Sequence, residues 1–265
     1  MADGESSPSA EGPLAGRTAL VTGASGGIGE ATVRRLAAAG CEVTAVARRA
    51  APLEALAREC GCRAATLDVT DRGALETLVG ELAPEILVNN AGTGHGIAGL
   101  GATDPDDVRI AVETNVAAPL HAIRAALPAM RARGSGHVVN VGSIAGLHNL
   151  VSAVYGATKA AVHLMSQNLR VELAGTGIRV SEIAPGRVTS GFYGAANLEA
   201  ATAARMGDSG IEELRPEDVA DAIAYVLEAP AHVNVALIEL LPTEQAVGGI
   251  SMVPRAAAKA GGSGR

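Results

Sequence analysis

Short apolar runs alternate with stretches of helical periodicity along most of the chain. The run Thr18-Ala19-Leu20-Val21 ends in Thr22-Gly23-Ala24-Ser25-Gly26-Gly27-Ile28-Gly29, after which Ile28, Ala31, Thr32 and Leu36 recur at helical spacing up to Gly40. This succession predicts a strand, a glycine-rich turn and a helix. Glu42–Ala47 follows at once, so the first unit is βαβ, with parallel strands and a right-handed crossover. The same patterns predict strands at Ala64–Leu67, Ile86–Val88, His137–Val141, Ile178–Ile183 and Ala236–Leu240. Helices are predicted at Leu53–Cys60, Gly73–Leu82, Asp106–Arg133, Ala153–Ala174 and Pro216–Glu228. The last begins clearly, with Pro216 in the first turn and Glu217 and Asp218 at the positive end of the dipole. Seven strands separated by helices predict an α/β fold, a doubly wound parallel sheet with helices on both faces.

A length of 265 residues suits one such domain. We expect it over residues 16–250, with 1–15 as a disordered leader and 251–265 as a flexible tail. The leader is rich in Ser, Gly, Glu and Pro and lacks the apolar segment of a secretory signal. Apolar residues make up 48% of the chain, but with no Trp and one Phe the core must be built from Ala, Val, Leu and Ile. A net charge of −7 without a basic stripe argues against nucleic acid as a partner, and no apolar run is long enough to span a membrane. Cys41, Cys60 and Cys62 form no even framework, which suits a reduced cytoplasm. No histidine stands at metal-ligand spacing from another ligand, so no metal site is expected.

Gly23, Gly27 and Gly29 lie between a strand and a helix, where a pyrophosphate can approach the free N–H groups of the helix end. Alone this pattern would suit any tight turn. At the end of the second strand an acid would bind the ribose of NAD, but Ala47 stands there, followed by Arg48 and Arg49. Two guanidiniums and no acid favour the 2′-phosphate of NADP. Either arginine could instead solvate a loop, Arg49 more readily than Arg48. Asp68-Val69 and Asn89-Asn90-Ala91-Gly92 end the next strands along the same edge, beside the adenine and the ribose respectively.

Tyr155 and Lys159 then stand one helical turn apart on one face. The chain has only two lysines, and the other, Lys259, lies in the polar tail. An ammonium near a phenol lowers its pKa from about 10 toward the range useful for proton transfer.

These residues together resemble the short-chain dehydrogenase/reductase family, a Rossmann-type fold. The resemblance runs from about Arg17 to Gln245 and rests on Thr22-Gly23-(x)3-Gly27-Ile28-Gly29, Asp68-Val69, Asn89-Asn90-Ala91-Gly92, Asn115-Val116, Ser143, Tyr155-(x)3-Lys159 and Pro185-Gly186. It implies a catalytic group of Asn115, Ser143, Tyr155 and Lys159, with Tyr155 as general acid/base and Ser143 on the substrate oxygen. Lys159 is implied to hold the nicotinamide ribose and lower the tyrosine pKa, and Asn115 to hold a water leading to solvent. The implied cofactor contacts are Gly23, Ser25, Gly27, Ile28, Gly29, Arg48, Arg49, Asp68, Val69, Asn89, Ala91, Gly92, Tyr155, Lys159, Pro185, Gly186, Val188 and Ser190, with Thr189 as an alternative to Ser190.

The sequence also departs from the family pattern. Ser143 and Tyr155 are 12 residues apart, one fewer than expected, which predicts a reshaped loop from Ile144 to Val154. The final strand runs into Leu241-Pro242-Thr243, which resembles the NADP-dependent branch of 3-hydroxy acid and serine dehydrogenases and clavulanate-type aldehyde reductases. Thr93, Gly94, His95, Ile144, His148, Arg187, Phe192 and Tyr193 are candidates to line the substrate pocket, under a lid from Gly191 to Ser209. The expected function is NADP(H)-dependent hydride transfer between nicotinamide and a small carbonyl or alcohol. Alternatives are a 3-hydroxy acid dehydrogenase, a tailoring reductase, or a non-catalytic dinucleotide sensor or scaffold. The resemblance also implies a homotetramer or homodimer through the helices at Asp106–Arg133 and Ala153–Ala174.

Overall fold

The apolar runs pair into one sheet. In the computed structural model, which describes residues 12–149, 152–193, 196 and 198–246, the strands are β1 (Thr18–Thr22), β2 (Glu42–Ala47), β3 (Arg63–Thr66), β4 (Ile86–Asn89), β5 (Gly136–Val141), β6 (Ile178–Pro185) and β7 (Leu237–Leu240). They lie in the order β3-β2-β1-β4-β5-β6-β7, and every pairing is parallel. Between them run α1 (Gly27–Ala38), α2 (Ala50–Cys60), α3 (Arg72–Leu82), α4 (Pro105–Val112), α5 (Ala118–Arg133), α6 (Ala153–Glu172), α7 (Ala200–Gly207) and α8 (Pro216–Glu228).

Side chains alternate across the sheet and feed two cores. Ala19, Val21, Val43, Ala45, Val139 and Ile183 face α1, α2 and α8, whereas Leu20, Val46, Leu87, Val138 and Val180 face α3, α5 and α6. Because both faces are covered, the central strands read as continuous apolar runs and not as alternation, and every residue of β5 is buried. Helix starts follow local chemistry. Asp71 accepts from Ala74 N, Asp104 from Asp106 N beside Pro105, and Ser152 from Tyr155 N. Gly61 and Gly134 end α2 and α5 in the left-handed conformation.

Three expectations change. The ordered fold begins before residue 16, because Leu14 is 1% exposed within the first core and its carbonyl accepts from Cys41 Sγ. An apolar side chain at the end of a polar leader is better packed than solvated. The single helix predicted over Asp106–Arg133 is interrupted by a π-helical turn, Glu113–Ala117, between α4 and α5. The expected lid also contains a helix, α7. The predicted tail and most of the leader lie outside the described residues. No helix among the described residues is long and apolar enough to cross a membrane.

Candidate active site

The winding reverses between β1 and β4, which are neighbours in the sheet, and this opens a crevice beyond their carboxyl ends. Thr22 ties the two ends together, its Oγ1 accepting from Asn90 N and Ala91 N at 3.1 and 3.0 Å. Asn90 Nδ2 returns a bond to Thr22 O at 2.9 Å. The turn after β1 needs glycine for packing, since a Cβ on Gly29 would collide with Gly23 O and Asn90 Nδ2. α1 is preceded by Gly26, which provides no side-chain cap, unlike the residues before α3, α4 and α6. Its first N–H groups and the positive end of its dipole therefore suit an anion.

Of the two arginines after β2, Arg49 is the one fixed to this turn. Its Nε and Nη2 donate to Ser25 Oγ and Ser25 O at 3.2 and 2.8 Å. Arg48 is 76% exposed and 3.9 Å from Asp68 Oδ2. The expectation that Arg49 is the readier loop solvator is thus reversed, because its guanidinium reaches the turn backbone. Asp68 Oδ1 accepts from Thr70 N and Oγ1, and Val69 is buried in the second core. Asn89, expected at the ribose, turns inward and donates from Nδ2 to Asn140 Oδ1 at 2.9 Å, as the last residue of a buried strand. Ala91 and Gly92 remain at the crevice edge.

The catalytic candidates converge from three elements. Ser143 follows β5 and accepts from Ala145 N, closing a 3-10 turn over Ile144–Gly146. Its hydroxyl is near enough to Tyr155, in the first turn of α6, to pull the phenol pKa down, so the short spacing still brings the two side chains together. Leu150 and Val151 of that loop lie outside the described residues. Lys159, one turn further, donates to Val141 O at 2.9 Å and sits 5.9 Å from the Tyr155 ring centre. Asn115 lies in the π-helical turn, 2% exposed. Its Oδ1 accepts from Thr93 N at 2.8 Å, and its Nδ2 donates to Thr93 O and Thr158 Oγ1, both at 3.0 Å. The wider turn thus presents one amide to two other elements, and such turns are frequent at functional sites. A Cβ on Gly92 would stand 3.4 Å from Asn115 Oδ1 and 3.6 Å from Lys159 Nζ, so both atoms border the same small space.

The electrostatics correct one expectation. Burial pushes Tyr155 up to about 12, with the Ser143 hydrogen bond pulling it down and Tyr193 adding to the rise. Burial pushes Lys159 down to about 8, against which the Glu182 charge acts. Burial, and not Lys159, sets the direction for the phenol, and the ammonium is directed at Val141 O.

Phe192 covers the site, its ring 5.4 Å from Tyr155 and 5.4 Å from Tyr193 in edge contacts. Arg187 stacks on Tyr193 at 4.7 Å, donates to its hydroxyl at 2.8 Å and to Glu213 Oε1 at 3.0 Å. At 11% exposure it is a packed residue and not a loop solvator. Thr189 turns to Glu213 Oε2, whereas Ser190 Cβ lies 3.6 Å from where a Gly27 Cβ would be. Val188 bridges to Leu214. Gln245 accepts from Arg187 N, so the segment after β7 folds back beside Pro185-Gly186. The substrate candidates divide. The loop of Thr93 to His95 abuts Phe192 through Gly94, and His95 Nδ1 pairs with Asp107 Oδ1 at 2.6 Å. Ile144 is buried, and His148 turns to Glu239 on β7 at 2.6 Å. Gly194, Ala195 and Asn197 of the expected lid lie outside the described residues.

Sequence reasoning did not single out Thr158, Glu213, Gln245, Glu182 or His163. Thr158 lies inside the Tyr155 to Lys159 stretch, and Glu182 is an acid in a strand otherwise read as buried, so both carried a signal. Glu213 and Gln245 carried none.

The sequence profile of the short chain dehydrogenase family matches residues 17–201, more than half of the chain. The chain belongs to the short-chain dehydrogenase family. This short-chain dehydrogenase is 38% identical over 249 residues to the NADP-dependent 3-hydroxy acid dehydrogenase YdfG of Escherichia coli K12, covering 88% of this chain and 98% of that protein. It is 40% identical over 243 residues to sulfoacetaldehyde reductase 2 of Chromohalobacter salexigens, covering 86% and 94%. Among solved structures, the closed form of serine dehydrogenase complexed with NADP+ superposes with a TM-score of 0.83 at 36% identity, over 90% of this chain and all of that one.

Proposed function

We propose that this short-chain dehydrogenase transfers hydride between NADP(H) and a small carbonyl or alcohol, with Tyr155 as general acid in reduction and general base in oxidation. The observation that carries the reading is the meeting of Ser143, Tyr155, Lys159 and Asn115 at the crevice where β1 and β4 part. Bound in that crevice, the nicotinamide would supply or accept the hydride. The uncapped start of α1 would hold the pyrophosphate, and Arg49 and Arg48 the 2′-phosphate. Ser190, facing the glycine turn, is a better candidate than Thr189 for the nicotinamide amide.

The protein must then orient the carbonyl, stabilise its oxygen and move one proton. Ser143 would hold the oxygen beside the Tyr155 hydroxyl. Because burial favours the neutral phenol, Tyr155 is set to donate, and Lys159 would restore its proton through the ribose. The space shared by Lys159 Nζ and Asn115 Oδ1 beside Gly92 suits a water that continues this path. Phe192 would exclude bulk water over the phenol.

A second reading is oxidation of a 3-hydroxy acid, favoured by the name of the relative from Escherichia coli. A non-catalytic sensor is disfavoured by the Ser143–Tyr155 contact, which binding alone does not need. Exposed Val112, Leu120, Leu164 and Val171 support a homodimer or homotetramer through the α4–α5 and α6 surfaces. The test is turnover with NADPH and NADH against a panel of aldehydes, ketones and keto acids, with 3-hydroxy acids and serine in the oxidative direction. NADPH should exceed NADH in kcat/KM by about tenfold or more. Tight NADPH binding with no turnover on the whole panel would favour the sensor.

A further inference from the structure

β6 carries a carboxylate in the middle of the sheet. Glu182 is 0% exposed, and its Oε2 accepts from His163 Nδ1 on α6 at 2.8 Å. Its Oε1 is buried with no hydrogen-bond partner. In register Glu182 lies opposite Asn140 of β5, and Oε1 presses on Gly142, where any Cβ would collide with it. Gly142 follows Val141, whose carbonyl takes the Lys159 bond. Carboxylate and ammonium therefore flank the same turn of chain at the end of β5.

A buried carboxylate with an unpaired oxygen is costly, and a neutral side chain would avoid that cost. What the carboxylate does supply is negative charge near a buried lysine, and a nearby opposite charge favours the protonated ammonium. The charged groups facing Glu182 are His163, Arg170 and Lys159, all from α6. Arg170 is bound to the carbonyls of Val180 and Ala236. On β7, Glu239 is taken by His148. His163, 22% exposed, is the bonded partner, while Arg170 and the buried Lys159 act on Glu182 through charge. His163 Nε2 pairs with Gln167 Nε2, which connects the buried carboxylate to the outer side of α6.

We propose that Glu182 is a positioning residue for Lys159, holding it protonated in the dry crevice, and that His163 governs how much of the Glu182 charge the lysine feels. The proposal rests on the active-site reading of Lys159. The 2.8 Å contact of Glu182 Oε2 with His163 Nδ1 favours the charged carboxylate, against the burial that pushes its pKa up.

Because the chain contains only Lys159 and Lys259, protein made with isotope-labelled lysine gives two side-chain signals by NMR, and K259R assigns them. The Lys159 signal is followed through a pH titration of the full chain. In Glu182→Gln its midpoint should fall by about one pH unit or more, with Glu182→Asp retaining the charge and most of the wild-type value. His163→Gln should shift it in the same direction by less. That variant also serves should Glu182→Gln not fold, since His163 is partly exposed. A Lys159 midpoint that stays at the wild-type value in the folded variants overturns the proposal. Wild-type turnover in Tyr155→Phe would instead overturn the active-site reading and leave this titration untouched, so the two failures are separable.

Discussion

At the floor of the crevice, Asn90, Asn115 and Lys159 each bond a backbone group of another element, and Thr22 takes its bonds from the backbone that follows β4. The cover from Arg187 to Tyr193 is joined by backbone bonds to Leu214 and otherwise held by side chains: the Arg187–Glu213 pair, the Tyr193 hydroxyl, and the aromatic edges of Phe192 and Tyr193. The floor is thereby joined to the strand ends of the sheet, whereas the cover is joined to a segment outside it. Aromatic edge contacts contribute only about 0.5–1.5 kcal/mol each. On the proposed function, cofactor and proton transfer would fall to the floor and substrate discrimination to the cover.

The largest expected effect concerns the stability of the strand that carries the floor. His137, at the foot of β5, is fully buried and burial pushes its pKa down to about 3. Below about pH 6.5 the unfolded chain binds a proton that the folded chain refuses until about 3. The stabilisation is complete above pH 6.5 and is lost as pH falls, by about 4–5 kcal/mol at most. Denaturant unfolding of wild type and His137→Leu across this range checks it, with the variant expected to show a flatter slope. Equal slopes would remove His137 from the acid sensitivity. Next, Asn115→Ala leaves Thr93 N–H and C=O without their partner, and turnover should drop about a hundredfold through misplacement. Were kcat unchanged, the floor would not need that anchor. Arg49→Ala should weaken NADPH about tenfold and NADH hardly at all, with Arg48→Ala following the same pattern. Equal losses for both cofactors would detach these arginines from the 2′-phosphate. Smallest is Arg187→Met, for which KM of the carbonyl substrate should rise about threefold with NADPH affinity intact. A matching loss of NADPH affinity would erase the division between floor and cover.

The floor was legible in the chain, and of the cover the residues were legible but not their partners. Strands, glycine turn and the Tyr155–Lys159 spacing are local patterns, and buried parallel strands with short crossovers leave them little freedom. The partner of Arg187 lies 26 residues away, on a segment with no periodic signal. Asn89 looked like a crevice residue until the strand end showed which way its side chain turned. The electrostatic error at Tyr155 has a physical origin too. Spacing shows that an ammonium is near, but not that burial outweighs it or that a backbone carbonyl takes its bond. Glu182 was passed over because a single acid in an apolar strand has no meaning without the residue across from it.

The central claim is that Tyr155 moves the proton. The direct measurement is steady-state turnover of Tyr155→Phe alongside calorimetric NADPH binding, using the best substrate from the panel. Turnover should fall by about 10²–10⁴-fold with NADPH affinity unchanged. Turnover near wild type in a variant that binds NADPH normally would contradict the account.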